Sequence, residues 1–242
     1  MGSSGPIARS LHEVLLAMFT PLSCVLMLSV ASASPPETTA ADSRFVSRLK
    51  AALLLETLNA ELLSHESATL TLEKWCSRYG LGPPAVVAER VAGTEKAPTE
   101  EQRRELRVSE ADTVRYRKVR LRCGAVVLSE ADNWYVPGRL TTEMNRLLDT
   151  TDAPFGRVVQ GLGFRRHTIS ATVLSPFLPQ DWATMSPARM EQLGEPCLPA
   201  HSLQHRAILT LPDGTPFSEV VETYTGNVLA IPALGLTHPC SQ

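Results

Sequence analysis

Residues 114–137 read Val-Arg-Tyr-Arg-Lys-Val-Arg-Leu-Arg-Cys-Gly-Ala-Val-Val-Leu-Ser-Glu-Ala-Asp-Asn-Trp-Tyr-Val-Pro. Two runs rich in β-branched and aromatic residues flank a glycine-containing turn, the pattern of a β-hairpin. Side chains alternate between the two faces of a strand. One face of the first run therefore carries Arg115, Arg117, Val119, Leu121 and Cys123, and turns apolar from Val119 onward. The other carries Val114, Tyr116, Lys118, Arg120 and Arg122, a mostly polar, solvent-facing set. Arg117 stands where the apolar face begins. A guanidinium keeps its charge at any ordinary pH, so burying it calls for an anion, either a protein carboxylate or a ligand.

The rest of the chain repeats this design. Asp213-Gly214, between a run ending at Leu211 and one beginning at Phe217, predicts a second hairpin. Thr168 to Leu174 alternates as a strand, and Ala85 to Val91 as a further short one. Helical spacing runs from about Phe45 to Leu63, with Asp42 or Ser43 as cap. A second helix begins near Thr69 or Thr71, buries Leu72, Trp75, Cys76 and Tyr79, and stops at Gly80. Thr99-Glu-Glu-Gln102 is a capping box opening a short charged helix. Leu140 to Leu148 predicts another helix, burying Met144, Leu147 and Leu148, and Val158 to Leu162 a helical turn. A proline-rich loop fills 175–202. Hairpins with segregated helices argue for an α+β fold rather than a doubly wound sheet.

The 242 residues suit one domain with a leader, and the formal charge of −2 leaves no basic footprint for nucleic acid. Arg9 precedes an apolar run from Val14 to Val30 that ends in Ala31-Ser32-Ala33, which matches a secretory signal. Pro21 and Ser23 interrupt the run, against a stable membrane span. The expected organisation is a signal peptide over 1–33, a linker over 34–43 and a single domain over 44–242. The product is then exported or periplasmic; the alternative is a misassigned start codon and a cytoplasmic protein. Beyond the leader lie Cys76, Cys123, Cys197 and Cys240, for which three disulfide pairings are open. For Cys123 the plainer reading is a small core hydrophobe.

Walker, GxSxG, HExxH and GxGxxG motifs are missing, and the histidines lack metal-ligand spacing, so no metal and no cofactor is expected. What remains is Arg117 with the acids of the last hairpin strand. Glu222 shares a face with Val220 and Tyr224, and Glu219 shares the other with Phe217 and Val221. Both faces are partly apolar, so alternation leaves open which acid points inward, and an internal Arg117 salt bridge is the structural alternative.

Taken in order, these segments resemble the chorismate lyase family and, more distantly, the effector-binding UTRA domain of bacterial transcription regulators. The resemblance is carried by Glu66-Ser67-Ala68-Thr69, Arg117 to Cys123, Trp134-Tyr-Val-Pro137, Ala153-Pro-Phe-Gly-Arg157, and Asp213-Gly-Thr-Pro216 followed by Glu222-Thr-Tyr. It implies an antiparallel sheet of about six strands, with helices packed on one side and an enclosed ligand cavity. It implies cofactor-free elimination of pyruvate from chorismate to give 4-hydroxybenzoate, as in ubiquinone biosynthesis. By resemblance Arg117 binds the ring carboxylate and Glu222 stands near the ring oxygen, with Glu219 as runner-up. Ala68, Phe155 and Arg157 then line or close the site. Ala68 replaces the family's methionine, and Asn133 stands where the family has an arginine. The other reading is a non-catalytic, periplasmic binder of a small aromatic carboxylate. Either way the expected partner is a small molecule and the expected state a monomer.

Overall fold

The structure, a computed structural model, describes residues 40–93, 95–236 and 238–240. The signal-like leader and most of the expected linker lie outside the described residues. Among these residues, no helix is long and apolar enough to cross a membrane.

The first hairpin forms as β2 (Arg115–Cys123) and β3 (Val126–Tyr135), and the second as β5 (His201–Thr210) and β6 (Pro216–Thr225). With β1 (Val86–Arg90) and β4 (Arg165–Val173) they make one sheet in the order β1-β2-β3-β6-β5-β4. Every neighbouring pair is antiparallel. The α+β expectation therefore holds, with six strands.

Two helices cover one face. α1 (Ala40–Ser64) starts inside the segment expected as linker, because Ala40 and Ala41 favour helix as readily as the residues that follow. α2 (Ala68–Tyr79) is capped by Ser67, whose side chain accepts from the Leu70 N–H, and ends at Gly80 with φ 64°. Only glycine takes that left-handed geometry without steric cost. Leu55, Leu58 and Leu62 of α1 and Leu72 and Trp75 of α2 are buried against the sheet in one apolar core. The Trp75 indole N–H is satisfied by the Val228 carbonyl at 2.9 Å.

α3 (Glu100–Glu105) forms with the capping box Thr99–Gln102 and touches the opposite face of the sheet. α4 (Thr142–Thr150) buries Leu148 but leaves Met144 and Leu147 only half-buried, a correction to the expectation that all three are buried. α5 (Phe155–Val158) leads into a 3₁₀ turn over Gln160–Leu162, which is the helical turn expected at Val158 to Leu162, and the proline-rich loop contains a further short helix, α6 (Pro187–Glu191).

Two disulfides select one of the three open pairings. Cys76 of α2 is joined to Cys123 at the end of β2, and Cys197 to Cys240. Cys123 is fully buried, as a core residue should be, but is also cross-linked. The first bridge ties the helical layer to the sheet. Gly82 makes room for it, since a Cβ there would lie 2.7 Å from the Cys123 carbonyl oxygen.

Candidate functional site

Register decides which side chains meet. Arg117 pairs with Asn133, which pairs with Val220, while Val119 pairs with Ala131, which pairs with Glu222. Arg117 and Glu222 consequently project from one face, two residue steps apart along the sheet. Glu219 projects from the other.

A cavity of about 40 Å³ lies on the Arg117 face. That is space for about three waters. Its walls are apolar side chains such as Val119, Leu121, Val220 and Phe164. The α2 N-terminus, at Ser67 to Thr69, closes one end together with Phe155 and Gly156 of α5. The first N–H groups of a helix have no partner within it and attract negative charge. Gly156 is needed for this close approach, because a Cβ there would sit 3.1 Å from the Ser67 hydroxyl oxygen.

Arg117 is 7% exposed. Its Nη2 donates to the Ala153 carbonyl at 3.2 Å, while Nε and Nη1 are buried without a partner. Burial, aided by the like charge of Arg90, pulls its pKa down to about 10. It is therefore still a cation at neutral pH, and no carboxylate among the described residues pairs with it. An internal salt bridge does not account for this residue.

The second cation in the cavity was not legible as a site residue. Arg166, near the start of β4, donates to Glu222 Oε2 at 2.6 Å, and its own Nε has no partner. Burial opposes its charge, but Glu222 and the Tyr224 environment outweigh that, so its pKa is raised. Tyr224 donates its hydroxyl to the same Oε2 at 3.1 Å, and burial beside that carboxylate lifts its pKa well above the ordinary value. His205, opposite Glu222 in the sheet, packs edge-on against Tyr224 and meets Asn59 Oδ1 at 2.9 Å.

The sequence-predicted residues thus divide. Arg117, Glu222, Ala68 and Phe155 line one cavity. Glu219 does not: it is wholly buried on the opposite face, held by Arg206 at 2.8 Å and Gln102 at 3.2 Å. Arg157 does not either, because α5 turns it outward to pair with Glu73. Asn133 lies in the cavity wall and accepts from the Ser218 hydroxyl at 2.5 Å, so it supplies no second cation. Among the described residues no cluster of histidine, cysteine and acidic side chains could hold a metal.

Two guanidiniums, Arg117 and Arg166, face two carboxylates, Glu66 and Glu222, in the lining. Glu222 is held by Arg166, and Glu66 by the Arg166 backbone N–H and the Arg165 side chain, which leaves Arg117 without a counter-charge. Chemically it can hold one anionic group against Arg117 and offer Arg166 and Glu222 to a polar group at the far end.

No protein-family model matches the chain. Among solved structures it aligns with PhnF from Mycobacterium smegmatis at 15% identity, covering 74% of this chain and 70% of that one, with a TM-score of 0.45. It also aligns with the "possible transcriptional regulator" YydK from Bacillus subtilis at 15% identity and a TM-score of 0.35. There the match covers 65% of this chain and 61% of the YydK chain, so it spans about three fifths of that protein. At such scores the fold rests on the strand pairing described above. The sequence itself is 48% identical over 190 residues, 78% of this chain and 80% of the other, to a protein of Sinorhizobium fredii. On that identity and coverage, the chain belongs to the family of the "Uncharacterized protein y4mC" of that organism.

Proposed function

We propose that this protein binds a small aromatic monocarboxylate in this cavity, with Arg117 taking the carboxylate in a two-pronged, charge-assisted bond. One observation carries the reading: Nε and Nη1 of a buried arginine have no partner, while both acids of the cavity lining, Glu66 and Glu222, are held by other groups. One guanidinium without a counter-charge balances one negative charge, so a monoanion is the better fit. The α2 N-terminus adds favourable potential for the same group.

Chorismate lyase activity is the second reading. What favours it is the presence of Glu222 and Arg117 in one cavity, the pair the family resemblance puts at the two ends of the ring. Glu222 is held by Arg166, however, and the arginine of the family pattern is Asn133 here. Both facts favour the binder.

Calorimetry with 4-hydroxybenzoate tests the first reading. The unaltered chain should bind, and Arg117→Ala should lose at least about thirty-fold in affinity, the cost of stranding a buried charge's partner. Equal binding by both chains would sink it. Incubation with chorismate, followed for 4-hydroxybenzoate and pyruvate, tests the second.

We also propose export to an oxidising compartment, supported by the two disulfides. Cell fractionation with thiol labelling checks it, and a product found reduced in the cytoplasm overturns it.

A further inference from the structure

Arg117 borders a second space besides the cavity. A solvent-open cleft of about 700 Å³ lies against the ends of β1 and β2 and includes Arg117 in its wall. Its lining carries five cations, Arg90, Lys96, Arg103, Arg115 and Arg117, against two acids, Glu95 and Asp149. Two of the cations are neutralised: Arg115 holds Asp149 at 2.9 Å, and Lys96 holds Asp132 at 3.0 Å. Arg90 and Arg103 are held by backbone carbonyls, of Asp149 and of Ser109 respectively. Neither makes an ion pair among the described residues. A cleft with such an excess raises the local concentration of anions and the rate at which they arrive.

The cavity's other neighbour offers no such field. A smaller cleft, about 220 Å³, shares Glu66, Ser67 and Phe164 with the cavity wall. There one cation, Lys74, is offset by one acid, Glu66. That acid is fastened across the gap to the Arg166 backbone N–H and to the Arg165 side chain. An anion approaching on this side meets a balanced, tethered rim.

The geometry points to the basic cleft as the loading route: a small carboxylate collects near Arg90 and is passed to Arg117, which forms the partition between cleft and cavity. The inference rests on the carboxylate-binding reading and adds to it a direction of entry and a role for residues outside the cavity. Arg90 also repels Arg117, and an anion arriving between the two relieves that repulsion. The route is thus favoured at its inner end as well as its outer one.

Stopped-flow binding of 4-hydroxybenzoate, read by intrinsic fluorescence at several ionic strengths, tests the route. Arg90→Gln should lower the association rate about three- to tenfold at low salt and flatten its dependence on ionic strength, with dissociation within about twofold of the original. Arg90→Lys should restore the rate. Lys50→Gln, the same charge change on an exposed residue of α1, should leave it unaltered. An unchanged association rate in Arg90→Gln, a change lying wholly in dissociation, or an equal loss in Lys50→Gln overturns the route while binding itself stands. Absence of binding by the unaltered chain overturns the carboxylate reading and the route with it.

Discussion

Arg166 and Glu222 face each other inside the cavity across 2.6 Å, with 4% and 8% of their side chains exposed. Two charges so deeply buried stabilise the fold only as a pair. Removing one leaves the other without solvent or counter-charge.

Glu222→Gln should therefore be much more costly than its small change in shape suggests. Losing one partner of a buried pair costs about 3–5 kcal/mol. Equilibrium urea unfolding of Glu222→Gln should register a loss of that order. Adding Arg166→Met to the same chain should recover most of it, because the stranded cation is gone. A double variant as unstable as the single one would show that the pair is not the source of the effect.

His205 makes stability depend on pH. Its residue is fully buried, and desolvation, opposed by Glu222 and reinforced by Arg166, holds its pKa down to about 4. An unfolded histidine titrates near 6.5. Below that value the unfolded chain takes up a proton that the folded chain refuses, so stability falls as pH drops from about 6.5 to about 4 and levels off below. Above pH 6.5 the contribution is complete. The expected loss is on the order of 3 kcal/mol, superimposed on that of the carboxylates. His205→Gln, which cannot titrate, should flatten this segment of the stability–pH curve, and an unchanged slope would remove His205 as its cause.

The two disulfides should respond differently to reductant. Each closes a loop of more than forty residues, Cys76–Cys123 at a separation of 47 and Cys197–Cys240 at 43. Loops of that length correspond to about 4 kcal/mol of chain entropy apiece. Cys76 and Cys123 are fully buried, whereas Cys197 and Cys240 are only half-buried. Exchange needs a thiolate to reach the sulfur. Mild reductant on the folded protein should open Cys197–Cys240 first, with Cys76–Cys123 opening only on unfolding. Mass spectrometry of alkylated peptides reads the order directly, and simultaneous opening contradicts it.

What was legible in the sequence is what local chemistry determines. Gly80 and Thr99 mark helix ends because caps are made by residues a few positions apart. The two hairpins follow from turns between alternating runs, and the alternation in β2 is enough to set Arg117 at the edge of the core. Pairing between distant segments is not encoded that way. Glu219 and Glu222 are separated only by the register that matches Val220 with Asn133, and both faces of β6 are largely buried. Arg166 escaped notice because β4 begins at Arg165, three residues before the expected strand, just after the left-handed turn at Gly163. A strand beginning there would have put Arg166 opposite Leu209 and on the inner face. Arg157 follows its motif in order, but the short helix that contains it turns the side chain outward to Glu73.

In its proposed binding role, Arg117 sets binding against stability. A cation kept dry and without a counter-charge is a cost to the fold, since such burial is unfavourable. Arg117→Met keeps the length and fills the same apolar wall while removing the charge. It should abolish 4-hydroxybenzoate binding and raise the stability of the free protein by about 1–2 kcal/mol, or a melting temperature higher by roughly 2–8 °C for a chain of this size. Ligand should then raise the melting temperature of the original chain and leave that of the variant unmoved. A variant both less stable and still responsive to ligand would mean that the guanidinium is a structural element rather than a binding one. The pair of melting curves, with and without ligand, separates those two roles in a single experiment.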